Sequence, residues 1–270
     1  MILAPGTLMG TKGAGSGSPL WTPSQLTTLA WYDMSTDTDI TLDVSPNISA
    51  LNDKSGNARH LAKGPAAEQP HWDSVNGYVQ FETGHHFSHG GAGVDFIYNN
   101  GNYMVFMVVD ADTFADNCYL FSEGYTDDRV FGPAIVSPTN DIKAFIRPQS
   151  GITIISGVSG DIGTGVWYDG FQILSIEDTG THMAARRNGG TISAIPYTRS
   201  GTFISDKFTI GGLDRSSFSN GVAMKMKEFI VTSHLSDTDR QLIEGYLAHR
   251  HGLAGDLDVS HPYKSSAPTV

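Results

Sequence analysis

Along the chain, apolar residues arrive in short runs bounded by glycine, proline, asparagine and aspartate. Runs of strand length occupy 29–34 (LAWYDM), 77–82 (GYVQFE), 103–110 (YMVFMVVD), 118–123 (CYLFSE), 141–146 (DIKAFI), 152–156 (ITIIS), 170–176 (GFQILSI), 181–187 (THMAARR), 207–212 (KFTIGG) and 224–232 (MKMKEFIVT). They are rich in β-branched and aromatic side chains, which suit a pleated, half-buried surface. Ten or more short strands with hardly any helix predict an all-β sandwich or barrel. The run 103–110 is apolar on both parities, as a central strand covered on both faces would be. In 224–232, Met224 and Met226 oppose Lys225 and Lys227, yet Phe229 and Val231 then fall on the lysine parity. A β-bulge near Glu228 restores the pattern, and so does a covered outer face. Asn188-Gly189, between two strand-like runs, tolerates positive φ at both centres of a two-residue hairpin turn.

One stretch has helical spacing, LSDTDRQLIEGYLAHRHGL at 235–253. Ser236 is a good N-cap, Asp237 and Asp239 place negative charge in the first turn, and Gly252 stands where a left-handed C′ residue belongs. Leu242, Ile243, Tyr246 and Leu247 form one apolar stripe, so the helix is expected to dock on the sandwich by that side. His249 and His251 are two apart and project about 200° away from each other at 3.6 residues per turn, so they cannot share a metal ion.

Composition narrows the function. The 270 residues are 39% hydrophobic, enough for one large all-β domain or two small ones. With 28 Asp and Glu against 17 Lys and Arg, the formal charge of −11 repels polyanions, and the basic residues are scattered, so nucleic acid is not an expected partner. Cys118 is the single cysteine, which removes internal disulfides and cysteine zinc sites; in its apolar run it reads as a buried hydrophobe rather than a nucleophile. The start MILAPGTLMG has no basic leader region, and no run approaches the ~20 apolar residues of a membrane span. A soluble protein without a secretory signal is the expectation. Residues 1–20 are Gly/Ser-rich and read as a flexible N-terminal arm that would order against its own domain or a neighbouring copy.

The order LAWYDMS, ISALNDKSGNARHLAKG, GYVQFETGHHF, KFTIGG and MKEFIVTSHLSDTDRQLIEGYLAHRHGL followed by HPYK resembles the laminin G-like, concanavalin A-like jelly-roll domains of phage tail and other virion proteins and of some large bacterial surface proteins. The resemblance runs over roughly 26–264 and is most specific in NDKSGNARH and the helix. It implies a two-sheet antiparallel jelly-roll sandwich with one C-terminal helix, divided as arm 1–20, jelly roll 21–264 and tail 265–270. Its members mostly bind glycans or proteins or serve as structural modules. Family members often carry tryptophan where this chain has His251, so that position departs from the pattern.

Candidate chemistry is sparse. Glycosidases need two carboxyl groups facing each other across a cleft, and jelly-roll glucanases carry theirs at alternate positions of one strand. Here Glu177 and Asp178 are adjacent, which sends them to opposite faces of a strand. His85, His86 and His89 form the best metal candidate by composition, but neighbouring histidines point apart and no carboxylate stands near them, which favours packing or hydrogen bonding. Asp53, Ser55 and Asn57 faintly resemble a calcium loop; side-chain-to-backbone turns are the preferred reading, with calcium as the alternative that laminin G-like modules sometimes use. Trp72, Tyr125, Trp167 and Tyr168 could present stacking faces to sugars.

No catalytic, cofactor-binding or metal residue is assigned. The chain is expected to be a non-enzymatic bacteriophage virion protein, a head decoration or tail adhesion module anchored by its arm to other virion proteins and to copies of itself. The alternatives are a lectin-like module for host-surface glycan and, behind it, a glycan depolymerase.

Overall fold

The computed structural model describes residues 19–270 except 92–93, 95, 98, 100, 114–117, 126–129, 137–140, 148–154, 157–169, 191–192, 197, 200–204 and 216. Two antiparallel sheets face each other. One has eight strands, in the order Ser193–Pro196, His182–Arg187, Gln172–Asp178, Tyr103–Thr113, Ala223–Ser233, Tyr78–Phe81 and His71–Asp73, with Thr28–Asp33 also paired to Ala223–Ser233. The other has ten: Ile155–Ser156, Asp141–Arg147, Val130–Val136, Phe121–Gly124, Lys207–Ile210, Phe87–Gly90, Leu61–Ala62, Ile48–Leu51 and Ile40–Leu42, with Cys118–Tyr119 on Val130–Val136. Neighbours in these orders are often far apart in sequence, as a jelly-roll sandwich requires. The all-β class and the single long helix are as the periodicity predicts.

Between the sheets the inward positions alternate along each strand. Tyr32, Phe81, Phe87, Phe121, Phe208 and Phe229 are fully buried. The Phe208 ring lies 5.0 Å from Phe96, 6.0 Å from Phe229 and 6.4 Å from both Tyr32 and Phe121. On Tyr103–Thr113, Val105, Met107 and Val109 enter this core, while Met104, Phe106 and Val108 enter a second apolar layer under the helix. That is why the run is apolar on both parities. Of the two expected causes of the parity switch in Ala223–Ser233, the bulge is present: the register slips between Met226 and Glu228. Lys227 is the extra residue, so Lys227 and Glu228 both leave the core face.

The helix, α1 (Asp237–Arg250), is capped by Ser236 Oγ, which accepts from Asp239 N at 3.1 Å. It closes with Gly252 at φ +75° and Leu253 N donating to Ala248 O at 2.7 Å, a Schellman ending. Ile243, Tyr246, Leu247 and Ala248 bury against Trp21, Trp31, Phe106, Ile173 and Ile230. Leu242 packs at the margin of this layer.

Asn188 and Gly189 have φ +50° and +73°, and Gly190 N donates to Arg187 O at 2.8 Å, so the predicted turn forms. The pairing of Ala185 with Ser193 is offset by one residue from the register that this two-residue turn sets. Most strands absent from the sequence reading, such as Ile40–Leu42, Ile48–Leu51, Leu61–Ala62 and His71–Asp73, are two to four residues long and too short to show a period, while the seven-residue Val130–Val136 was hidden by its Gly132-Pro133. Of the expected arm only Pro19 and Leu20 fall among the described residues. There the chain pairs with the C-terminal tail, Val270 N donating to Pro19 O at 2.9 Å and Trp21 N to Pro268 O at 3.0 Å.

Candidate functional site

The residues singled out in the sequence go to separate places. Asp53 is consumed by its own turn: Oδ1 accepts from Trp31 N at 3.0 Å and Ser55 N at 2.9 Å, and Oδ2 from Ser55 Oγ at 2.7 Å and Arg59 N at 3.0 Å. Asn57 Nδ2 donates to Thr28 O and Leu29 O. The turn reading therefore holds for Asp53, Ser55 and Asn57. Glu177 faces His234 (2.9 Å) and Arg186 (3.4 Å) on the outer side of its strand, while Asp178 turns away to Arg199 (2.7 Å). Cys118 is buried. Trp72 packs against the central core, Tyr125 is half-buried, and Trp167 and Tyr168 lie outside the described residues.

The three histidines diverge. His85 sits against His71 with ring centroids 4.7 Å apart, and burial, helped by His71, pushes its pKa down. His89 Nδ1 lies 2.9 Å from His60 O. His86 stacks flat on Phe218 at 3.9 Å. Among the described residues no three His, Cys, Asp or Glu side chains are grouped so as to hold a metal ion.

The helix does more than close the fold. Glu228 and Glu244 are wholly buried beneath it. Glu228 Oε1 accepts from Trp31 Nε1 at 2.7 Å and Tyr246 Oη at 3.2 Å, and its Oε2 lies 2.7 Å from His251 Nε2 and 3.4 Å from Arg250 Nε. Glu244 binds Ser175 Oγ at 2.7 Å, Arg240 and His261. His249 turns instead to Tyr263 O at 2.7 Å, so the two histidines do part company. His251, the departure from the family pattern, fills its position with a hydrogen bond to a buried carboxylate. The two carboxylates are saturated and inaccessible, which makes the network a fastener rather than a site.

An open site lies on the outer face of the ten-stranded sheet. Because Phe208 and Ile210 point inward, Lys207 and Thr209 point outward, beside Ser122 and Ser88 in register. A hairpin pairing Leu213–Asp214 with Phe218–Ser219 folds over them. It lies so close that a Cβ on Gly124 would meet Asp214 O at 2.9 Å. Ser122 Oγ anchors it by donating to Gly212 O at 2.9 Å. Asp214 Oδ1 accepts from Lys207 Nζ at 2.8 Å, and Oδ2 accepts from Ser88 Oγ at 3.0 Å. His86 Nε2, buried and without a hydrogen-bond partner, faces the same oxygen at 3.7 Å. Burial would raise the Asp214 pKa, but the His86, Lys207 and Ser88 groups outweigh it and hold the carboxyl well below the usual range.

Ser49, Ala62, Lys63, Gly64, Ser88 and Asp214 line an open depression of about 390 Å³ here. Lys63 stands beside Glu68 at 2.6 Å, and Phe218, cross-strand from Asp214, is half-buried. The small floor residues admit a flat ligand. A carboxylate offers about four acceptor positions, and only part of that capacity is used here. The place thus combines a fixed anionic acceptor, an ammonium, two hydroxyls and a nearby aromatic ring. None of these but His86 was singled out in the sequence. The available signal was the glycine-bracketed hairpin GGLDRSSFSNG, which places an acid and an aromatic four apart.

No protein-family model and no curated protein matches the chain. Among solved structures it is similar to botulinum neurotoxin type C, whose cell entry is described as dependent on interaction with two ganglioside molecules (TM-score 0.57, 13% identity, covering 82% of this chain and 51% of that one). It is also similar to Trypanosoma rangeli sialidase in complex with 2,3-difluoro-KDN (TM-score 0.54, 12% identity, 92% and 36%). A third is the binding domain of botulinum neurotoxin DC in complex with SialylT (TM-score 0.51, 12% identity, 82% and 51%). The chain thus spans about a third to a half of the length of these proteins. At such identities the likeness is one of fold: a two-sheet, jelly-roll β-sandwich.

Proposed function

We propose that this protein is a non-enzymatic, lectin-like module that binds glycan in the Asp214 depression. The observation that carries the reading is the ionised Asp214, fixed by Lys207 and Ser88 at the floor of an open polar depression. Neighbouring hydroxyls of a sugar donate to the carboxylate, and Lys63 and the serines answer the remaining oxygens. Few, well-placed polar groups are what orient a small ligand. The lectin-like fold and the sialic-acid and ganglioside associations of its structural neighbours support the same choice. The sequence resemblance extends it: on a phage head or tail such a module would engage host-surface sugars.

A glycan array probed with the full chain and with Asp214→Asn tests this. The expected outcome is a defined set of bound glycans whose signal falls at least about tenfold in the variant, the scale of one charge-assisted hydrogen bond. An array with no binder, or equal binding by both proteins, overturns it.

A further inference from the structure

The eight-stranded sheet carries a lysine for which the described residues supply no anion. Among the described lysines, Lys54 pairs with Asp33, Lys63 with Glu68, Lys207 with Asp214 and Lys225 with Asp110, and Lys264 donates to the Gly255 and Leu257 carbonyls. Lys227 has none of these; its ammonium lies 4.5 Å over the Phe171 ring. In a chain with 28 acidic residues and 17 basic ones, a half-buried lysine without a carboxylate is the exception.

Its placement follows from alternation with the inward Met226. The register slip between Met226 and Glu228 puts Lys227 and Glu228 on the same outer face. The nearby acids are already committed. Glu228 serves Trp31, Tyr246, His251 and Arg250, and Asp33 serves Ser35, Lys54 and Arg250. Arg250 adds a second cation at the same edge. Burial lowers the Lys227 pKa with no compensating partner, so an arriving anion would be favoured by a charge that is already partly stripped of water.

The space around it has the lining of a ligand site. Ser35, Thr36, Asn76, Gly77, Lys227, Arg250 and His251 enclose an open depression of about 340 Å³. Phe171 beneath the ammonium lies 5.7 Å from the Tyr78 ring, and both rings are half-buried. Hydroxyl and amide groups beside a cation that the Phe171 ring holds from behind match a ring that bears both hydroxyls and a carboxylate. We infer that this depression is a second binding site, which takes the carboxylate of an acidic sugar on Lys227. It lies on the opposite sheet from Asp214 and stands independently of that proposal.

Isothermal titration of the full chain with glucuronate, glucose and acetate tests the inference. Glucuronate is expected to bind at least about tenfold more tightly than glucose, for want of the charge, and than acetate, for want of the ring. Lys227→Met should lose that tenfold, while Lys225→Met, which removes a paired charge from the same face, should keep it. Unfolding of Lys227→Met at or above the wild-type midpoint would show that the fold is intact. The inference fails if Lys227→Met binds glucuronate unchanged, or if acetate binds as tightly as glucuronate. It fails equally if Asp214→Asn abolishes glucuronate binding and Lys227→Met does not, because the acidic sugar then occupies the other depression.

Discussion

Replacing Glu228 by alanine should cost about 3–5 kcal/mol of stability, the usual consequence of removing one partner from a buried ionic group. Its carboxylate is inaccessible and meets three donors within 3.2 Å, Trp31 Nε1, Tyr246 Oη and His251 Nε2, with Arg250 Nε at 3.4 Å. Charge-assisted hydrogen bonds contribute about 1.5–3 kcal/mol each, but the sum overshoots because the carboxylate no longer has to be desolvated. What remains is the burial of an indole N–H, a phenol and an imidazole with no acceptor, on the surface where α1 meets the sheet. Against a total stability of about 5–15 kcal/mol the loss is large. Urea unfolding followed by tryptophan fluorescence measures it. With an m-value of about 3 kcal/mol/M, the midpoint should fall by about 1–1.7 M. Glu228→Gln keeps the shape and one acceptor oxygen, so it should fall between. A loss under about 1 kcal/mol for the alanine variant would refute the view that this network fastens the helix.

Three further outcomes follow from the geometry. Asp33 and Asp214 are both held below their ordinary pKa, so their contributions are present above about pH 4 and fade as the pH falls below it. Asp214→Asn should therefore cost about 2 kcal/mol at pH 7 and progressively less toward pH 2 in urea melts, and a pH-independent difference would contradict the ionised assignment. Gly189→Ala should cost about 1–3 kcal/mol in thermal unfolding, because φ is +73° and a Cβ would meet the His261 ring at 2.5 Å. Phe208→Ala, which empties the centre of the aromatic cluster between the sheets, should cost about 3–5 kcal/mol, with a value below about 2 arguing against a tightly packed centre.

Local chemistry made much of the fold legible. Strand runs 103–110, 181–187 and 224–232 fall almost on the observed strands, because short apolar runs bounded by turn residues are written in the chain itself. The Ser236 cap, the Gly252 ending and the Asn188-Gly189 turn were likewise readable, since each depends on a few neighbouring residues and their backbone preferences, whereas the parity break near Glu228 allowed a bulge or a covered outer face alike. The turn around Asp53 belongs with them.

The candidate sites were not legible in this way. Lys63, Ser88, Lys207 and Asp214 come from four separate segments and meet only because a hairpin folds across particular neighbours in the ten-stranded sheet. Arg240 and Glu244 look in sequence like the solvated side of an amphipathic helix, yet they are buried, because Ser175 and His261 arrive to satisfy Glu244. Lys227 shows the same division within one residue. Alternation with Met226 in the sequence is enough to turn it outward, while the want of an anion among the described residues was decided by the tertiary structure, which commits Glu228 and Asp33 to other donors.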